Sequence, residues 1–105
     1  MAIHLTKTMF EQNLNTKFWL LGNSPEPLPL DLIELKDGPS SLRQESFSLR
    51  FRGDRSRILP QRIYPMKHDS IGEFDLFLVP IGQDESGTFY EAVFNRLIQV
   101  QDRAQ

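Results

Sequence analysis

Residues Glu45 to Arg52 alternate without a mismatch. Phe47, Leu49 and Phe51 fall on one side, and Ser46, Ser48, Arg50 and Arg52 on the other. Successive side chains of a strand point to opposite faces, so this segment is a strand with one face in a core and one in water. The period recurs at Arg62–His68, where Tyr64, Met66 and His68 share a face. It recurs again at Thr88–Asn95, where Tyr90, Ala92 and Phe94 do. Glu73–Ile81 differs. After its first residues it is apolar on both sides, Phe74, Leu76 and Leu78 against Phe77, Val79 and Ile81. Such a strand is expected to lie centrally and to be covered on both faces.

The remaining elements are shorter. Thr6–Asn15 reads as a helix capped by Thr6, with Phe10 and Leu14 one turn apart and Met9 beside them. Ten residues are marginal as an isolated helix, so packing must hold it, and one face of Glu73–Ile81 is the expected partner. Lys17–Leu21 is a strand candidate. Pro25, Pro27 and Pro29 keep the next stretch extended. Leu28–Leu32 and Ile33–Lys36 alternate in opposite phase, which places a β-bulge near Leu32–Ile33. Pro65 argues that its strand lies at an edge or beside a bulge. Short turns join these runs, at Gly53–Ser56, Asp69–Gly72 and Gly82–Gly87. The expectation is a mainly β domain: an antiparallel meander of five or six strands, forming a small curled sheet or partly open barrel with one short N-terminal helix.

A chain of 105 residues makes one domain, 1–105, large enough to stand on a single core. Absence of cysteine excludes disulfides and thiolate metal sites and suits a reducing cytoplasm, the expected location. Met1–Lys7 lacks the apolar core of a secretory signal. The densest apolar run, Phe74–Ile81, is too short to span a bilayer and contains Asp75 and Pro80, so no membrane partner is expected.

The pattern Phe47-Ser48-Leu49-Arg50-Phe51-Arg52-Gly53, Leu59-Pro60-Gln61, Tyr64 with His68, Ile71 through Gly82, and Tyr90-Glu91-Ala92-Val93-Phe94-Asn95 resembles a bacterial small-domain family of unknown function. Arg62 and Pro65 depart from the small and polar residues usual there. The resemblance spans Phe10 to Asn95 and implies a small bacterial β-domain, one that accompanies phage-tail-like fibre proteins. It brings no catalytic residues with it.

The residues themselves point away from catalysis. Two histidines, His4 and His68, are too few for a metal centre without convergent carboxylates. His68 and Asp69, adjacent on a strand, face opposite ways, and a histidine hydrogen-bonded near a turn is the plainer reading. No nucleophile elbow and no glycine-rich phosphate loop is present. Glu73, Asp75 and Glu91 could approach across strands as a carboxylate pair, although exposed carboxylates are the default. No cofactor, no metal and no enzymatic activity are expected.

Charge is more informative. The net charge of −2 conceals a window of +5 over Arg43–Lys67 and one of −6 over Asp69–Asn95. Arg50, Arg52, Arg55, Arg57 and Arg62 form the candidate binding patch for a partner or an anion. The plainer reading pairs this arginine row with acidic side chains on neighbouring strands, Asp75 or Glu91. Nucleic acid is disfavoured, because the wet face has no aromatic platform and the isoelectric point is near 5.6. At the C-terminus, Thr88–Val100 as one strand would reach about 43 Å, well beyond a compact domain. The segment must therefore bend, become a helix or overhang: residues 96–105 are a frayed or docked tail, strand or helical, or an overhang whose Leu97, Ile98 and Val100 would form an interface. The expected function is a non-enzymatic interaction or assembly module, binding itself or a protein of a larger structure. A β-barrel binding a small molecule or anion is the alternative.

Overall fold

The alternation along the chain becomes one helix and six antiparallel strands: α1 (Lys7–Gln12), β1 (Lys17–Leu20), β2 (Leu28–Asp37), β3 (Gln44–Gly53), β4 (Arg62–His68), β5 (Gly72–Asp84) and β6 (Gly87–Leu97). The computed structural model describes residues 5–22, 26–38 and 44–97, without the side chains of 44, 96 and 97. The strands form one sheet in the order β1-β2-β3-β6-β5-β4, and β4 returns to pair with β1, so the sheet closes into a ring. The connectivity is not the single meander expected from the short turns. It is two three-stranded meanders, β1–β2–β3 and β4–β5–β6, joined by residues 54–61. The seam between β3 and β6 is ten residue pairs long, Gln44↔Leu97 to Gly53↔Thr88. The seam between β1 and β4 has two pairs, Trp19↔Lys67 and Leu20↔Met66.

Ring closure leaves a single interior. Phe47, Leu49 and Phe51 enter it from β3, Tyr64 and Met66 from β4, Leu76 and Leu78 from β5, and Tyr90 and Ala92 from β6. The bulge in β2 lies where the phase slip predicts it, between Leu32 and Glu34. It turns Asp31 and Glu34, three residues apart, onto the same outer face, opposite Arg52 and Arg50.

The helix is shorter than its pattern. Thr6 caps it by accepting from the Met9 amide at 3.2 Å. The chain leaves it at Asn13, whose side-chain amide donates to the Met9 carbonyl at 2.7 Å. Asn15 then takes a left-handed φ of 65° and donates its backbone N–H to the Leu32 carbonyl. That bond draws the chain directly into β1, and Leu14 ends up exposed rather than on the buried face. One side chain therefore anchors the helix. The Phe10 ring lies 6.1 Å from Phe18, 6.2 Å from Phe74 and 5.5 Å from Phe94, measured between centroids. It closes one end of the ring from within. Through Phe10 and Phe74 the helix meets one face of β5, as expected, but the expectation that both faces are covered is overturned, and Phe77 and Ile81 stay open to solvent.

The crossover loop 54–61 closes the other end. Leu59 packs on the core, and its N–H donates to the Tyr90 hydroxyl at 3.0 Å. Tyr64 donates to the Pro60 carbonyl at 2.5 Å. Buried Thr88 donates to the Asp54 and Arg57 carbonyls, at 3.1 and 3.3 Å, and accepts from Gln83 at 2.8 Å. Tyr90→Phe leaves the Leu59 amide and the Arg57 carbonyl without that hydroxyl. We expect a loss of about 1–2 kcal/mol in urea unfolding, with faster proteolysis within 54–61.

Pro65 does not mark an edge strand, because β4 pairs with both β1 and β5. Its carbonyl accepts from the Leu21 amide at 2.7 Å, so its nitrogen also faces the short β1 seam. The missing N–H falls where the ladder is already sparse, and pairing with β5 is intact.

Candidate interaction surface

The ring has two unlike outer faces. On β2, β3 and β6 the arginine row is neutralised within the chain. Arg50 lies opposite Glu34 on β2 and Glu91 on β6, with its guanidinium 3.6 Å from the Glu34 carboxylate. Arg52 reaches Asp31 at 3.7 Å, and Asp31 also holds Lys17 at 3.2 Å. Lys7 pairs with Asp37, whose hydrogen bond is the main cause raising the lysine above its ordinary pKa. The plainer reading holds for Arg50 and Arg52, with different partners from those expected. Glu34 and Asp31 supply the ion pairs, Glu91 stands beside Arg50, and Asp75 lies away on β5 opposite Pro65. The pairs made by Arg50, Arg52 and Lys17 are half-exposed, and each contributes about 0–1 kcal/mol.

The five arginines do not form one patch. Arg50 and Arg52 belong to the β3 face. Arg55 is drawn to the β5–β6 turn, donating to the Asp84 carbonyl at 3.0 Å. Arg57 borders an apolar cavity of about 120 Å³ lined by Leu28, Leu30, Leu59 and Tyr90. Arg62 is on β4, separated from β3 by β6 and β5, so it does not lie across from the others as expected.

The outer face of β4 and β5 is apolar. Ile63 and Phe77 are direct cross-strand neighbours and are 61% and 47% exposed. Val79 and Ile81 continue the row along β5, with Ile81 43% exposed. Towards the other end the pairs are Pro65↔Asp75 and Lys67↔Glu73. Lys67 neighbours Trp19 on β1, where a shallow groove of about 290 Å³ is lined by Trp19, Leu21, Pro27, Lys67 and Asp69. Lys67, Glu73 and Asp75 form no ion pair among the described residues, in contrast to the charges on the β2–β3 face. The row was visible in sequence as the second apolar face of β5. What the sequence could not show is that the described residues leave it uncovered.

His68 is a buried structural residue at the helix end of the ring. Its Nδ1 accepts from the Ser70 amide at 3.0 Å, and because a backbone N–H can only donate, Nδ1 is unprotonated. The proton therefore sits on Nε2, 2.8 Å from Thr16 Oγ1, and Thr16 passes its own to the Asn13 carbonyl at 2.5 Å. Burial lowers the pKa of His68 below the usual 6.5, opposed by Asp69. The unfolded chain then binds the proton more readily than the folded one. The stability from neutral His68 is present above pH 6.5 and is lost as pH falls from there towards the lowered folded pKa. Urea midpoints should fall between about pH 7.5 and about pH 5, and His68→Gln should flatten that slope. Asp54 and Asp84 are held below 3.8 by hydrogen bonds from Ser56 and Ser86, so their contribution is lost at lower pH and does not overlap.

Glu73 and Asp75 share the outer face of β5, whereas Glu91 stands opposite Val79, so the three do not converge. Among the described residues no cluster of three or more His, Asp or Glu could hold a metal ion. No described helix is long and apolar enough to cross a membrane. The backbone of β6 is described and paired as far as Leu97, and the expected interface positions Ile98 and Val100, with the Leu97 side chain and His4, lie outside the described residues.

Compared with known proteins, residues 5–94 match a family model described as a domain of unknown function, DUF6916. No curated protein and no solved structure matches the chain.

Proposed function

The chain belongs to this family of domains of unknown function, and from that premise we propose that it is a non-enzymatic interaction module that docks a protein on the outer face of β4 and β5. The observation that supports this is the Ile63–Phe77–Val79–Ile81 row. Outward positions on a closed ring can be polar at no loss to the core, as they are on β2 and β3. A contiguous apolar row flanked at one end by unpaired charges is the composition of a protein contact. A cytoplasmic setting and a place in a larger, phage-tail-like bacterial structure belong to the same proposal, and the identity of the partner reads them out.

The test is co-purification with a tagged full-length chain from its native cells, comparing the natural sequence with Phe77→Asp. The proposal expects a stoichiometric partner that Phe77→Asp loses while the domain keeps its melting temperature. Equal recovery with both chains would overturn it.

An anion-binding reading has one observation in its favour. The Arg57 guanidinium borders the apolar cavity of about 120 Å³ and has no ion-pair partner among the described residues. Calorimetric titration with butyrate would detect such a site, and Arg57→Gln would remove it.

A further inference from the structure

We infer that the partner on this face is a second copy of the chain, related by a two-fold axis that runs along the strands between β4 and β5. The inference rests on the docking role proposed for the face. Its basis is the cross-strand register: Ile63↔Phe77, Pro65↔Asp75 and Lys67↔Glu73. When two identical sheet faces meet, the two-fold lies in the plane between them. An axis parallel to the strands sends each point of one face to its mirror position across the axis on the other. With the axis midway between β4 and β5, each residue of β4 therefore lies over its own β5 neighbour in the second copy.

The register becomes the contact list. Ile63 stacks on the second copy's Phe77, apolar on apolar, twice by symmetry. Lys67 stacks on the second copy's Glu73, opposite in charge, also twice. Both are charges that the chain leaves without an ion pair among its described residues, whereas Lys17 on β1 and Arg50 and Arg52 on β3 are paired. An apolar centre with a rim of both signs is complementary to itself in this orientation. The strands of the two copies run nearly aligned, the common arrangement for sheets packed face to face. The β2–β3 face offers no comparable contact, because its arginines already lie within ion-pair distance of Glu34 and Asp31. That makes a head-to-tail contact of basic face on acidic face the poorer alternative. Two strands present less than the roughly 800 Å² per partner of a standard interface, so the dimer is weak and concentration-dependent.

Sedimentation velocity on the full chain from about 10 μM to about 1 mM at low salt tests this. The natural sequence should shift from monomer towards dimer over that range. Lys67→Glu and Glu73→Lys should each weaken association about tenfold or more by placing like charges together, and the chain carrying both should recover it. Phe77→Asp should abolish association. Thermal melts of all four variants establish that each remains folded. A natural chain that stays monomeric throughout, or a double exchange that fails to recover association, overturns the inference. A monomer does not by itself remove the docking role, which falls only if Phe77→Asp also leaves native co-purification unchanged.

Discussion

Phe10→Ala should remove about 3–5 kcal/mol of stability, the range for deleting a fully buried phenylalanine. Domains of this kind hold only about 5–15 kcal/mol, so the variant should melt on the order of 15–25 °C lower. The size of the loss follows from what the ring of Phe10 does. It is the one fully buried side chain of a six-residue helix, and it meets aromatic rings from β1, β3, β5 and β6. Such a helix has no stability of its own, so losing the ring releases the segment that closes this end of the interior. Met9→Ala, on a half-exposed side of the same turn, should cost far less. Differential scanning calorimetry of the two variants separates the roles.

Gly87→Ala should cost about 2–3 kcal/mol by overpacking. A methyl group at Gly87 would run into the backbone carbonyl of Gly53 and stand 2.8 Å from Arg52 Cγ. The carbonyl cannot yield without parting the start of the β3–β6 ladder, the longest seam in the ring, at the Gly53↔Thr88 pair. Thr88 next to it holds the crossover loop, so the strain reaches the second closed end as well. Gly82→Ala is the internal control. A methyl there meets nothing within 4 Å, and its unfolding midpoint should stay within about 0.5 kcal/mol of the natural chain.

Both variants act on parts of the structure that the sequence reveals unevenly. The strands were legible because a buried interior imposes period two: Phe47, Leu49 and Phe51, and Tyr64, Met66 and His68, are inward as their alternation requires. The bulge was legible because a slip in phase leaves a mark in the pattern at Leu32–Ile33. Ring closure was not, since it depends on two residue pairs between β1 and β4, far apart in sequence and shaped by where Pro65 lacks a donor. The ion-pair partners of Arg50 and Arg52 were missed for a related reason. Asp31 and Glu34 are of opposite parity along the chain, and only the bulge puts both on the outer face. The open outer face of β5 was not legible, because apolarity on both sides shows that two faces seek cover, not what provides it. Five arginines near one another in sequence suggested one patch, but the crossover to β4 carries Arg62 to the far side of the ring.

The proposed function therefore rests on the apolar face of β4 and β5 and not on the arginine row, where Arg50 and Arg52 are paired within the chain. Absence of cysteine makes that face directly accessible to measurement. Chains carrying Lys67→Cys and Glu73→Cys keep the apolar centre intact and can be mixed in equal amounts and oxidised under native conditions. The two-fold places these positions over one another, so disulfides joining the two different chains should form first and outnumber those joining like chains. Random pairing of the two chains, or no crosslink at concentrations where the dimer should be populated, would contradict the central claim.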